Sequence, residues 1–214
     1  MDRDIRTARE ARAPTKRESS THRDARDDGG LALEEPRWRS LLTSVRTVQM
    51  ELKRSSPERQ IGLAGNPAAP ESALLVTELR LARRLPPSYR DFLAFSDGWP
   101  SFFEGASLLG TGDIGRRSPA ESANQRWIAR GRLLPFGADR TGTSLFAFDT
   151  SVRLGDGELP VVAWVGGLGI DCRCFTSFLA TVLQLCRAEL AAVKARGLLA
   201  SPPPPGGPQW LAAG

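Results

Sequence analysis

The order of apolar periods along the chain predicts an α+β domain: N-terminal helices packed on an antiparallel sheet, with a covering C-terminal helix. Apolar residues recur at helical spacing between Trp38 and Ser96. They recur at a period of two in short runs between Ser107 and Val165, and at helical spacing again from Thr176 to Val193. The strand-like runs follow one another instead of alternating with helices, which separates α+β from α/β.

Each element follows from local cues. Trp38, Leu41, Leu42, Val45, Val48 and Leu52 fall on one face of a first amphipathic helix. Gly, Asn and Pro punctuate 54–71, which reads as a loop. A second helix over Ser72–Arg84 carries a stripe of Leu74, Leu75, Glu78, Leu79 and Ala82, and Pro86-Pro87 stops it. Pro87 then suits a first helical turn, Tyr89, Phe92, Leu93 and Ser96 share a face, and Gly98 supplies a left-handed terminator. Ser107–Leu109, Arg132–Phe136, Ser144–Phe148 and Pro160–Val165 read as strands. Gly137–Gly142 is the hairpin loop between two of them, and Gly166-Gly167-Leu168-Gly169 is a turn between strands. Glu121–Arg130, with Trp127 and Ile128, reads as an inserted helix. Phe178, Leu179, Val182, Leu183, Cys186 and Leu190 mark the closing helix, with Thr176 as its hydroxyl N-cap.

These elements bound one folded unit, 37–195. Residues 1–36 lack apolar periodicity and are rich in charge, the signature of a disordered tail. Residues 196–214 are a Pro/Gly-rich tail, where Ser201–Pro208 favours polyproline II ahead of a loosely docked Trp210. No internal repeat is evident.

Composition narrows the function class. The chain has 214 residues, 41% of them apolar, and no apolar run near the roughly 20 residues of a membrane span. The opening Met1-Asp2-Arg3-Asp4 places charge where a secretory signal has its apolar core, and three cysteines suit reduced thiols. A cytoplasmic protein with no membrane partner is expected. The net charge of +5 invites a nucleic-acid reading. Yet Arg3, Arg6, Arg9 and Arg12 are interleaved with Asp2, Asp4, Asp24, Asp27 and Asp28, whereas a phosphate-binding arm is a run of one sign.

Catalytic chemistry finds little purchase. The single histidine, His22, lies in the charged tail, without a scaffold to hold it against a nucleophile. Cys172, Cys174 and Cys186 lack the C-x₂-C knuckle and fourth ligand of structural zinc, and Cys186 sits on an apolar stripe. Asp97, Glu104, Asp113, Asp139, Asp149, Asp156 and Asp171 are mostly in predicted turns, where Asp bonds its own backbone. No metal, cofactor or small-molecule substrate is expected, and the chain reads as non-enzymatic. The aromatic cluster Trp99, Phe102 and Phe103 has two readings: core covering the end of the preceding helix, or the centre of a protein-binding patch.

The run Leu85-Pro86-Pro87-Ser88-Tyr89-Arg90-Asp91-Phe92-Leu93, ending in Ser96-Asp97-Gly98-Trp99, resembles the signature of the SUKH superfamily. Its groups include the yeast cell-wall-assembly regulator. Leu108-Leu109-Gly110, Leu134-Pro135-Phe136-Gly137, Leu145–Asp149 and Phe175–Leu179 follow in the order of that family's later motifs. The resemblance covers about 70–185 and implies the same α+β fold. For bacterial members it implies immunity proteins that bind and block toxins, often nucleases or deaminases; for eukaryotic members, regulators acting through protein contacts. It carries over no catalytic residues. Immunity proteins against nucleases are commonly acidic, whereas this chain is basic, and the charged N-terminal tail lies outside the family pattern.

The expectation is therefore a protein that covers the active site of a cognate toxin domain. The alternative is a regulatory scaffold recognising a host protein, with nucleic-acid binding through exposed arginines behind both. Loops carry such functions. The expected partner-binding positions are Asp97, Trp99, Phe102, Phe103 and Glu104 after the third helix, and Asp139 and Arg140 in the hairpin loop.

Overall fold

Helical spacing at the two ends and a period of two between them produce an α+β arrangement in the computed structural model, which describes residues 37–116 and 131–200. Three helices, α1 (Arg37–Ser55), α2 (Glu71–Leu81) and α3 (Pro87–Phe95), precede six strands. The strands are β1 (Trp99–Phe103), β2 (Ala106–Leu108), β3 (Leu133–Ala138), β4 (Ser144–Asp149), β5 (Val161–Val165) and β6 (Leu168–Cys172); α4 (Phe175–Ala200) closes the order. The expected N-terminal tail with His22, the expected helix over 121–130 and residues 201–214 lie outside the described residues, whereas residues 196–200, expected to begin the C-terminal tail, continue the α4 helix instead.

The sheet is an antiparallel meander in the order β1-β2-β3-β4-β5-β6. Pro135 sits inside β3, where a proline costs a ladder donor. A register shift between Pro135 and Gly137 absorbs it, and β2 meets β3 only at Ala138 and Gly137. Two strands exceed the sequence expectation: β1 forms from the aromatic segment, and β6 occupies residues assigned in part to a turn. The α4 helix packs on α1 and β6. Phe178, Leu179, Val182, Leu183, Cys186 and Leu190 on it are all buried. By length and composition this helix is apolar enough to cross a bilayer, contrary to the sequence reading. About a third of that apolar window is buried in the domain.

Tyr89 on α3 is the centre of the core. Its ring lies 5.0 to 5.5 Å from those of Phe92, Phe136, Phe148 and Phe175, so one residue joins α3, β3, β4 and α4. Its hydroxyl donates to the Leu109 carbonyl at 2.6 Å and lies 3.2 Å from that of Phe136.

Three helix ends differ from expectation. The α2 helix stops at Ala82, which takes left-handed angles (φ 51°) while the Arg83 N–H bonds back to the Glu78 carbonyl, before Pro86 is reached. The α3 helix ends at an extended Ser96, and Gly98 (φ +89°) serves the turn into β1 instead. At the start of α4 the cap is not Thr176. The Ser177 hydroxyl accepts from the Cys174 N–H, and the Phe178 N–H bonds the Cys174 carbonyl.

The segment read as a loop is an ordered strap along the outer edge of β1. The Gly62 N–H donates to Ser101, the Trp99 indole donates to Gly62, and the Asn66 N–H donates to Gly98. An exposed sheet edge invites pairing with other chains, and the strap covers this one. It can lie so close only because residue 62 has no side chain: a Cβ there would stand 1.8 Å from the Pro100 carbonyl oxygen. Gly62→Ala is expected to cost about 2–3 kcal/mol through overpacking, seen as a lower urea midpoint with an unchanged slope.

Candidate partner-binding surface

Most of the polar and aromatic residues expected to touch a partner are committed to the fold. Trp99, Phe102 and Phe103 are 4%, 0% and 6% exposed, which selects the core reading for this cluster and corrects their placement as surface anchors. An irregularity within β1, where Ser101 takes a φ of 48°, breaks the usual alternation and leaves the adjacent Phe102 and Phe103 both buried. Asp97 clamps a neighbouring turn, accepting from the Thr111 N–H at 2.5 Å and the Thr111 hydroxyl at 2.9 Å. Asp139 organises its own hairpin loop, accepting from the Thr141 and Thr143 hydroxyls and from the Gly142 and Ser144 N–H groups. Burial pushes its carboxyl upward, but those hydrogen bonds outweigh it and hold the pKa below 3.8. Arg140 and Glu104 are the exposed members of the expected set, on separate hairpin loops.

Glu104 and Gly105 form a two-residue turn between β1 and β2, with φ of 47° and 73°. That double positive φ marks the primed hairpin turns, whose first position favours Asn, Asp or Gly. A glutamate there is strained. Its carboxylate rims a cavity of about 390 Å³ bounded also by Gln49, Glu58, Arg59, Cys186 and Glu189. Arg59 pairs with Glu189 and lies 3.9 Å from Glu104. Burial, then the neighbouring Glu189 charge, raises the Glu104 pKa against the opposing pull of Arg59.

The cysteines do not converge. Cys186 is buried, and burial followed by the Glu189 and Glu104 charges pushes its thiol up to about 12. Burial also raises Cys172. Among the described residues no group of three His, Cys, Asp or Glu side chains is placed to hold a metal ion.

The surface that sequence reasoning missed is on α2. The expected stripe placed Leu74, Leu75, Glu78, Leu79 and Ala82 on the core face. The structure instead buries Leu74, Thr77 and Glu78. Thr77 donates to the Ala73 and Thr111 carbonyls, while Glu78 accepts from the Leu85 N–H and pairs with Arg84 and Arg90 at 3.6 Å. These partners turn the helix so that Leu75, Val76 and Leu79 face outward, 45%, 63% and 79% exposed. Beside them is a shallow depression of about 530 Å³ lined by Leu75, Glu78, Leu79, Ala82, Arg83 and Arg84. Arg83 has no ion pair among the described residues. The available signal was that apolar residues occupy more than one face of an eleven-residue helix, whereas a helix resting on a core needs one.

Residues 68–181 match the family model described as SMI1 / KNR4 family (SUKH-1). No curated protein matches the chain.

Proposed function

The chain belongs to the SMI1 / KNR4 family (SUKH-1), and from that membership we propose that it is a protein-binding immunity protein that neutralises a cognate bacterial toxin by lying over its active site. The observation that carries the protein-binding part is the outward face of α2, where Leu75, Val76 and Leu79 stand together in solvent. Monomeric proteins seldom leave adjoining large apolar side chains so exposed unless something covers them. Fully burying each would contribute roughly 1.5–3 kcal/mol before the cost of association is subtracted. Arg83 and Arg84 at the C-terminal end of the helix supply the charged rim, which sets approach rate and orientation more than strength.

In this reading the domain is a non-catalytic cytoplasmic cover. Its active component is a rigid surface, and it needs no cofactor. The partner presents an apolar patch bordered by acidic groups, and occlusion follows because a bound domain denies the toxin its substrate.

The test is a pull-down from the native cell extract with the tagged full chain, read by mass spectrometry, followed by co-expression with the captured protein. The expected result is a toxin domain in near-stoichiometric yield, resistant to moderate salt, whose growth inhibition the chain relieves. Recovery of housekeeping or signalling proteins would overturn the immunity reading in favour of regulation. Recovery of nucleic acid alone, released by salt, would overturn protein binding altogether.

A further inference from the structure

We propose that the cavity between α1, the strap, the β1–β2 turn and α4 is a binding site for a guanidinium group. It shares no residue with the outer face of α2, so it stands or falls separately from the reading above.

Glu58, Glu104 and Glu189 surround the cavity, and among the described residues Arg59 is the one cation in its lining. Arg59 is occupied by Glu189 and reaches Glu104 only at 3.9 Å, too far for a hydrogen bond. Glu58 makes no ion pair among the described residues. The lining therefore holds more carboxylates than its own arginine can satisfy.

A second, independent observation points the same way. Gln49 lines the cavity and is 2% exposed. Its Nε2 donates to the Phe102 carbonyl, which fixes the amide orientation, and leaves Oε1 buried without a hydrogen-bond partner. An unpaired buried acceptor costs about 1–3 kcal/mol. Both observations call for one kind of ligand, a cation rich in donors. Guanidinium carries five N–H donors and no acceptor, and its planar fork matches carboxylates. Arg59 against Glu189 shows that the lining already accommodates this geometry.

The surroundings fit a guanidinium on an apolar stem. On the other side of Glu104 and Glu189 lies a second depression, about 210 Å³, lined by Phe103, Val165, Leu168, Ile170 and Leu185. A head group at the carboxylates leaves its chain against these side chains. The strained glutamate in the turn then serves through its carboxylate and not through the turn.

The experiment titrates the ¹⁵N-labelled full chain with methylguanidinium chloride, then N-acetyl-arginine amide, then a Leu-Arg-Leu peptide. Saturable shifts of the Gln49 side-chain amide and the Gly105 N–H are expected. Glu104→Asn should abolish them while holding or raising the melting temperature, because Asn suits the left-handed turn position. Loss of binding with intact folding separates a ligand role from a structural one. Tightening of about tenfold or more from amide to peptide would assign the guanidinium to a partner's arginine side chain. Equal affinity would assign it to a free small cation. Absence of saturable shifts in the wild-type chain, or undiminished binding in Glu104→Asn, would overturn the proposal.

Discussion

Tyr89→Ala is expected to destabilise the domain by about 4–5 kcal/mol, more than any other single truncation discussed. The ring is fully buried among four phenylalanines on α3, β3, β4 and α4, so its removal opens a cavity where those elements meet. The hydroxyl adds a smaller share. It is the donor for the Leu109 carbonyl in the segment leaving β2, and its loss leaves that acceptor unpaired. Tyr89→Phe isolates this part and is expected to cost about 1–1.5 kcal/mol. Against a typical stability of about 5–15 kcal/mol, the alanine variant is marginal and the phenylalanine variant folds. Urea denaturation followed by tryptophan fluorescence checks both; an unchanged midpoint for Tyr89→Ala would contradict this account of the core.

The same residue sets an alkaline limit. Burial, then the Asp97 charge, raises the Tyr89 pKa well above 10. The unfolded chain therefore loses this proton first. The tyrosine's contribution to stability is full below about pH 10 and is lost as pH rises from there toward the folded-state value. Cys186, raised to about 12, adds a loss of the same sign that begins near the ordinary thiol value of 9. The phenylalanine variant should lose the tyrosine part of this alkaline slope and keep the cysteine part.

The second large effect is on association. Leu79→Asp is expected to weaken partner binding by about thirtyfold or more, the range of about 2 kcal/mol seen when a central anchor is removed. Because Leu79 is 79% exposed, the same change should leave the urea midpoint nearly untouched. Arg83→Glu should act differently, slowing association and reversing its salt dependence more than it shortens the life of the complex. Surface plasmon resonance on the captured partner separates the two. If Leu79→Asp bound as tightly as the parent chain, α2 would not be the contact.

What the sequence made legible was whatever is encoded locally. The α3 helix was clear because Pro87 starts it and Tyr89, Phe92 and Leu93 fall on one face within seven residues. The buried stripe of α4 was clear because it repeats over several turns. Less legible was whatever depends on partners far along the chain. Leu168–Cys172 becomes a strand because β5 pairs with all five residues, although Gly169 and Asp171 resemble turn chemistry. The outward turn of α2 depends on Thr111, Leu85 and Arg90 meeting Thr77 and Glu78.

The candidate site shows the same division. Asp139 sits in a turn and bonds its own loop, as turn aspartates do. Trp99, Phe102 and Phe103 are all buried because the β1–β2 hairpin has an irregular register, which a simple period of two does not reveal. Glu104 was singled out as a charge on a loop. The cavity that gives it neighbours needs Gln49 from α1 and Glu189 from α4, far away in sequence.

The most direct test of the central claim is amide hydrogen exchange of the full chain with and without its captured partner. Added protection is expected to concentrate on residues 75–84, the outer face of α2 and the arginines that follow it. Protection confined to other segments, with 75–84 exchanging as in the free chain, would contradict it.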